Sequence, residues 1–524
     1  MTKSKLKSYV LLWLSTFAVG ALAYVPLYAT SLTNDYDGLW KPTLYYADHL
    51  ETSVGRWLWP ILDSLRQGYS ASPFNSLLML ALIACGAVVL FDCFGFVGKR
   101  RTCLYAALIP VSVTICAQLS YRHMAPTFGF GFFLSVLAAW FLTKEDGAKL
   151  FSTNKLLSVL ALALSLALYQ AFLGVFCIVV LTAFLCRVCS CEKASQPWRF
   201  LLGGDICFVV ACCVYKLLWD IALFFTGMPP SDYMGASSVS FGSILLSLPQ
   251  RFIDTYRAFF GYFFNDTIRH NLLQGEILYF VLLGLLFLLP LLCSFSFFAK
   301  KNWKAGLSAL AFVLLPPAAC VPLLLAPDAG LSVQMTSSLS LVVPLLLVFA
   351  DGFLTKQKAD TTKVKQFLRF FAPAVAAVVL FGNTYMVGID LEVMSAGRNA
   401  TETLMTSVYQ TLIQSDPTLE NDYVFVGVAS ENPLFAKSPL WDRANQYARY
   451  GQIWCSSGHD CRLAYNGIFR NIGVQLAMSP DSDTFCDRLL LQPNTLKNMP
   501  AYPKEGSIQN IDGYTVVKLS DTPY

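Results

Sequence analysis

Apolar residues recur through the first three quarters of this chain in runs long enough to cross a hydrocarbon core, which takes ~20 helical residues per crossing. With 55% hydrophobic and 14% charged residues, the chain has too little polar surface to keep that many runs inside a water-soluble fold. In lipid each run must satisfy its own backbone N–H and C=O groups, which only a helix or a closed barrel does. The runs are continuous rather than alternating, so the chain reads as an α-helical polytopic membrane protein.

Eleven spans can be drawn: residues 9–28, 75–97, 103–119, 127–143, 155–168, 171–189, 200–226, 277–298, 305–326, 332–353 and 367–389. The first follows Lys3, Lys5 and Lys7 as a signal peptide would, but further spans follow and no small-residue cleavage site is evident, so it reads as a retained helix. The apolar run over 156–189 is too long for one crossing and is broken at Tyr169 and Gln170. Placing the N-terminus inside puts 20 Lys and Arg residues in the inner loops and 7 in the outer ones, in line with the positive-inside rule. The net charge of +5 therefore reports orientation. Its residues form no stripe or arm, and nucleic acid is not a partner.

An odd number of spans leaves residues 390–524 outside. Their composition is that of a globular domain, with strands expected at 423–428 and 514–519 and a helix at 400–415, hence a small α/β or α+β extracytoplasmic domain. Cys455 and Cys461 are separated by a turn-rich spacer that lets them pair in an oxidising compartment. Cys186, Cys189 and Cys191 cluster at one span end, but no histidine or second cysteine pair accompanies them, and no metal is assigned.

The chemistry concentrates outside. The first outer loop, 31–72, holds Asp35, Asp37, Asp48, His49, Glu51, Arg56 and Asp63 between two membrane attachments. A carboxylate held there can act as a general base on a substrate presented at the bilayer surface. Residues 51–65 have helical apolar spacing beside Trp57, Trp59 and Pro60, the pattern of an amphipathic helix lying in the interface. Arg56 on that helix either holds a lipid phosphate through its planar fork or snorkels to water. The short turns bearing Arg122 and His123, and Tyr169 and Gln170, would line the rim of such a site. The large outer loop, 227–276, adds aromatic and polar residues suited to a sugar, whose faces stack on rings. Within the seventh span Lys216 and Asp220 share a helix face, as a structural ion pair or with Lys216 meeting a lipid phosphate.

The order Asn34-Asp35-Tyr36-Asp37-Gly38, then Ser53-Val54-Gly55-Arg56-Trp57-Leu58, then Ser72-Pro73-Phe74 resembles the N-terminal region of the bacterial serotype-converting glucosyltransferases of O-antigen type II. The Tyr169-Gln170-Ala171 turn is similar too, and related proteins occur in Gram-positive bacteria. These are polytopic GT-C enzymes. The resemblance implies a GT-C-like transmembrane catalytic unit over 1–389 in the bacterial cell membrane, transferring a sugar, glucose, from a polyprenyl-phosphate donor to a cell-surface polysaccharide. It also implies an acidic general base in the first outer loop. The family's acidic positions are adjacent, whereas Tyr36 separates them here, so the base is Asp37 with Asp35 orienting the acceptor, or the reverse. Arg56, His49, Arg122, His123, Gln170 and Lys216 are the candidate substrate contacts. Acidic groups near a phosphate would also suit a divalent cation, although no ligand set is defined.

A lipid-linked sugar flippase is the competing reading. Such a transporter is expected to show matching halves with broken or charged helices near the midplane. This chain shows one charged pair and no evident repeat, and transport leaves the acidic loop without a role.

Overall fold

The computed structural model describes residues 3–33, 38, 44–145, 152–231, 241–266, 276–298, 302–325, 330–352, 362–435, 458–477, 481–491 and 493–521. Its long helices are α1 (Lys3–Ala23), α5 (Phe74–Cys93), α8 (Ala125–Thr143), α10 (Leu173–Ser190), α11 (Ser195–Thr226), α13 (Glu276–Phe298), α14 (Asn302–Ala319), α16 (Ser337–Gly352) and α17 (Thr362–Ser415). Between them stand the 21-residue α12 (Phe241–Gly261) and the shorter α2 (Val25–Ala29), α3 (His49–Ser53), α4 (Trp59–Leu65), α6 (Thr102–Ala107), α7 (Val113–Ser120), α9 (Thr153–Leu166) and α15 (Val321–Leu325). Several are long and apolar enough to cross a membrane, and the molecule is a helical membrane protein.

Burial separates the centre of the bundle from its rim. The segment that includes α10 is 89% buried in its most apolar window and packs on α8, α11, α14 and α16, whereas α11 is 22% buried in its window and turns an apolar face outward. In lipid an apolar outward face carries no penalty, so α11 needs only one packed side. The expected break at Tyr169 and Gln170 is present: α9 ends at Leu166, a 3₁₀ turn spans Gln170–Phe172, and α10 begins at Leu173.

The expected span over 103–119 is instead two helices, α6 and α7, with irregular backbone between them. Pro110 lies at the break and has no N–H to donate. The exposed carbonyls are satisfied from other helices: the Tyr24 hydroxyl lies 3.0 Å from the Pro110 oxygen and 2.9 Å from that of Ser112, and Asn383 Nδ2 donates to Val111 at 2.9 Å. Ser112 caps α7 by accepting from the Ile115 N–H at 3.3 Å. Irregular backbone among apolar helices persists only where protein groups replace water in this way.

At the lysine-bearing ends of α1, α5 and α8, Asp92 ties the three helices together. It accepts from Trp140 Nε1 at 2.7 Å, from Lys144 Nζ at 2.9 Å and from the Tyr9 hydroxyl.

Beyond the bundle α17 runs without interruption past residue 390 into the C-terminal unit, where the composition changes but the helix does not. There β1 (Asp422–Val426) pairs parallel with β3 (Tyr514–Lys518), which pairs antiparallel with β2 (Ile508–Ile511), in the order β1-β3-β2. Tyr423 and Phe425 pack on one face with the end of α17 and with α18 (Gly458–Asn471), and Val424 and Val426 pack on the other against α19 (Ser482–Leu491). The strand period of two thus builds a small mixed layer between helices. Cys455 lies outside the described residues, and with it the expected Cys455–Cys461 bridge.

Replacing Asp92 with alanine leaves Trp140, Lys144 and Tyr9 without their shared acceptor. A loss of about 3 kcal/mol is expected for a part-buried charged hub. Thermal unfolding of the detergent-purified protein should show a clearly lower midpoint, and an unchanged midpoint would assign the hub no structural weight.

Candidate active site on the first outer loop

From Leu44 onward the loop after the first helices is described, and it carries a well-capped turn of helix. Asp48 accepts from the Leu50 N–H at 3.2 Å, and Glu51 reaches back to the Asp48 N–H at 2.9 Å, a capping box that starts α3. The Tyr45 hydroxyl bonds the other Glu51 oxygen. The expected continuous helix over 51–65 does not form. Gly55 adopts φ +89°, a left-handed conformation that ends α3, and α4 starts afresh at Trp59 with Pro60 in its first turn.

At the end of α3 and just beyond it four consecutive carbonyl oxygens each receive a donor from elsewhere. Trp219 Nε1 donates to Thr52 at 2.7 Å, the Ser231 N–H to Ser53 at 2.9 Å, Gln170 Nε2 to Val54 at 2.8 Å and the Tyr215 hydroxyl to Gly55 at 3.1 Å. Tyr215 and Trp219 stand four apart on α11, so one helix face supplies two of the four. A side chain at position 55 would collide with the Tyr215 hydroxyl and would lie 2.7 Å from Gln170 Nε2, so glycine is required there by space as well as by φ.

This clamp positions Arg56, whose N–H bonds the Glu51 carbonyl at 2.8 Å. Its guanidinium carbon lies 5.3 Å from the Tyr169 ring centre and 5.8 Å from that of Trp59. The Arg56 Nε is buried with no hydrogen-bond partner among the described residues, and no described carboxylate pairs with the side chain. A half-buried cation held by aromatic rings and lacking a matched carboxylate can take an anionic group.

Next to it Trp59 stacks on His123, centres 6.3 Å apart and 13° from parallel, and Tyr45 meets His123 edge-on at 4.8 Å. Asp63, only 1% exposed, accepts from Trp59 Nε1 at 3.1 Å, from the Ala47 N–H at 3.0 Å and from Arg66 Nε at 2.9 Å. Arg66 Nη2 lies 2.8 Å from the same Asp63 oxygen and 2.8 Å from the His123 carbonyl, which binds α4 to the turn before α8. Burial raises the Asp63 carboxyl above the ordinary carboxylate range, and the Arg66 charge works against that rise. Between α4, α5 and α8 runs a groove of about 470 Å³, lined by Leu62, Leu65, Phe74, Leu78, Leu82 and Phe130, with Asp63 and Arg66 at its polar margin.

The structure thus joins Arg56, His123 and Gln170 in one cluster. Arg122, the chain neighbour of His123, is half-buried, and its carbonyl accepts from Asn75 Nδ2 at 3.1 Å. Lys216 is exposed, paired with Asp220, and sits 4.5 Å over the Trp219 ring, beside the clamp rather than within it. His49 is exposed at the start of α3, and no described contact links it to the Arg56 cluster. Asp35 and Asp37 lie outside the described residues. The flanking positions are described: Gly38 packs against the Thr33 side chain, and a Cβ there would sit 3.2 Å from the Ser120 carbonyl, two residues before Arg122. Sequence reasoning missed Tyr215, Trp219 and Asp63 as the groups that hold the site together. Polar-edged aromatics spaced four apart, next to the charged Lys216 and Asp220, were the available signal for the first two. Among the described residues no group of three His, Cys, Asp or Glu side chains converges as a metal site.

Residues 44–355 match the family model described as glucosyl transferase GtrII. No curated protein and no solved structure matches the chain. The matched stretch includes Arg56, Arg122, His123, Gln170 and Lys216. It begins after Asp37.

Gly55→Ala should cost roughly 2 kcal/mol or more, from the left-handed backbone and the contact with Tyr215. Hydrogen exchange should report it locally, as lost protection of the Arg56 amide, with the amides of α10 unaffected. Retained protection at Arg56 would mean that the turn does not depend on the clamp.

Proposed function

The chain belongs to the glucosyl transferase GtrII family, and on that premise we propose that it moves glucose from a polyprenyl-phosphate donor to a cell-surface polysaccharide of the O-antigen kind. The reaction is a single displacement on the outer face of the bacterial cell membrane. The acceptor hydroxyl oxygen attacks the anomeric carbon, the bond from that carbon to the phosphate oxygen breaks, and polyprenyl phosphate leaves. Asp37 or Asp35 takes the hydroxyl proton as general base, and the other orients the acceptor.

The observation that carries this reading is the placement of Arg56. Four external donors hold its turn rigid, and its half-buried charge meets aromatic rings but no described carboxylate. A leaving phosphate gains negative charge as its bond to the sugar breaks, so a fixed cation there binds the transition state more tightly than the ground state. The groove between α4, α5 and α8 opens beside the same loop and suits an isoprenoid chain, which needs apolar walls and no hydrogen bonds. Rings and polar groups around His123 suit the faces and hydroxyls of a hexose. The residues beyond 390 form an extracytoplasmic domain in this reading. The donor arrives already activated on the outer leaflet, so no nucleotide-binding motif is needed.

Membranes containing the intact protein should transfer labelled glucose from polyprenyl-phosphate glucose to polysaccharide. Loss of the general base should reduce transfer by about 10²- to 10⁴-fold in Asp37→Asn or Asp35→Asn, with the protein still inserted. Arg56→Gln should lower kcat more than it changes the acceptor KM. Undiminished transfer in both aspartate variants would remove the base from this loop. Movement of the lipid-linked sugar across the bilayer without transfer would favour the flippase.

A further inference from the structure

The groove between α4, α5 and α8 has a definite length. On α5 its wall runs from Phe74 through Leu78 to Leu82, one residue per turn along a single stripe, and on α8 from Pro126 to Phe130. Eight residues of helix rise about 12 Å, which is the depth of the groove along α5. One end is polar, with Asp63, Arg66 and Asn75 in its wall. Asp63 there holds Trp59 Nε1 at 3.1 Å, and the Trp59 ring lies 5.8 Å from the Arg56 guanidinium carbon. The mouth beside this end is apolar and open, with Leu65 80% and Phe74 62% exposed.

The other end is closed. One turn beyond Leu82 and Phe130 the two helices touch: a Cβ on Gly86 would lie 2.6 Å from the Phe132 ring and 3.7 Å from the Phe133 Cα. Behind the groove a Cβ on Gly129 would lie 2.9 Å from the Met79 Cα. Small residues at these positions let the backbones approach and leave no room for the groove to continue. It therefore ends within a single leaflet of a hydrocarbon core ~30 Å thick.

An extended isoprene unit advances its chain by four bonds, about 5 Å when scaled from the ~3.8 Å that a trans peptide spans in three. We propose that the groove holds about the first three isoprene units of the lipid-linked donor and that the protein does not read the chain beyond them. This rests on the polyprenyl-phosphate donor proposed above. With the phosphate at Arg56, the chain passes the polar end beside Asp63 and reaches the foot at Leu82, and every later unit lies in the bilayer. Lipid tails are as apolar as the groove wall, so leaving the bilayer adds nothing, and only units packed against protein side chains add affinity. The substrate class is thus any polyprenyl-phosphate sugar with the first few units in place, whatever its full length.

The full-length protein in lipid nanodiscs would be titrated with geranyl, farnesyl, geranylgeranyl and undecaprenyl phosphate, which carry two, three, four and eleven isoprene units, at matched mole fractions in the membrane. Binding should tighten by about threefold or more from geranyl to farnesyl phosphate and change by less than about twofold from farnesyl to undecaprenyl phosphate. In Leu82→Trp, where the larger ring fills the foot of the groove, geranyl and farnesyl phosphate should bind alike, a change of ratio that misfolding does not produce. Affinity that keeps rising from four units to eleven would overturn the length limit. A farnesyl-to-geranyl ratio that survives Leu82→Trp would place the chain outside this groove, and equal binding of all four lipids, or of none, would leave the groove without a chain to hold. Displacement of farnesyl phosphate by an equal amount of phosphatidylglycerol would make the groove a general lipid site and overturn the polyprenyl chain as its occupant. No sugar takes part in these titrations. A protein that transfers no glucose can still show the length limit, and transfer without a length limit leaves the reaction standing.

Discussion

The backbone carbonyls of Thr52 to Gly55 need donors in a place where water is scarce, and the arrangement around the Arg56 turn follows from how that need is met. A glycine in a left-handed conformation ends α3, and of these carbonyls only that of Thr52 keeps a local backbone donor, the Gly55 N–H at 3.1 Å. Trp219 and Tyr215 from α11, Gln170 from the turn before α10, and the Ser231 N–H supply them. An unpaired buried carbonyl costs about 1 to 3 kcal/mol, so four in a row would outweigh most single packing gains in the loop. Because of this coupling α11 matters to the site although most of its surface faces outward. The same rule governs the break between α6 and α7, where Tyr24 and Asn383 donate to backbone left free beside Pro110.

Charge around the Arg56 turn sorts by partner. Arg66 is neutralised by buried Asp63 and binds two carbonyls besides, so it is a structural tie. Arg398 shares its charge with Glu402, while Arg56 and Arg122 have no carboxylate among the described residues. Half-buried positive charge without counter-charge is unfavourable for folding. The aromatic rings around Arg56 lower its exposure to water without neutralising it.

Much of this was legible before the structure. Continuous apolar runs mark the long helices, and the excess length of 156–189 marks the break at Tyr169 and Gln170, because a helix has a fixed rise per residue. The Gly55-Arg56-Trp57 step and the acidic stretch before it carry the family resemblance, and the match over 44–355 covers the first of the two. Two backbone breaks were not legible. The span over 103–119 is apolar throughout, and hydropathy does not register that Pro110 lies where Tyr24 and Asn383 can satisfy a break. The interfacial segment 51–65 has helical spacing on both sides of Gly55, and periodicity alone reads across the glycine.

The sequence by itself determined that this chain is a helical membrane protein of the glucosyl transferase family, and that acidic residues and Arg56 cluster between the first two long apolar runs. Those properties depend on local composition and short motifs, which need no knowledge of distant contacts. Only the tertiary structure decided that α11 clamps the Arg56 turn, that Asp63 ties α4 to the turn before α8, and that Arg398 holds the Thr30 and Ser31 carbonyls. Each is a meeting of residues far apart in the chain, and helices that are apolar on every side give no periodic sign of which face meets which neighbour.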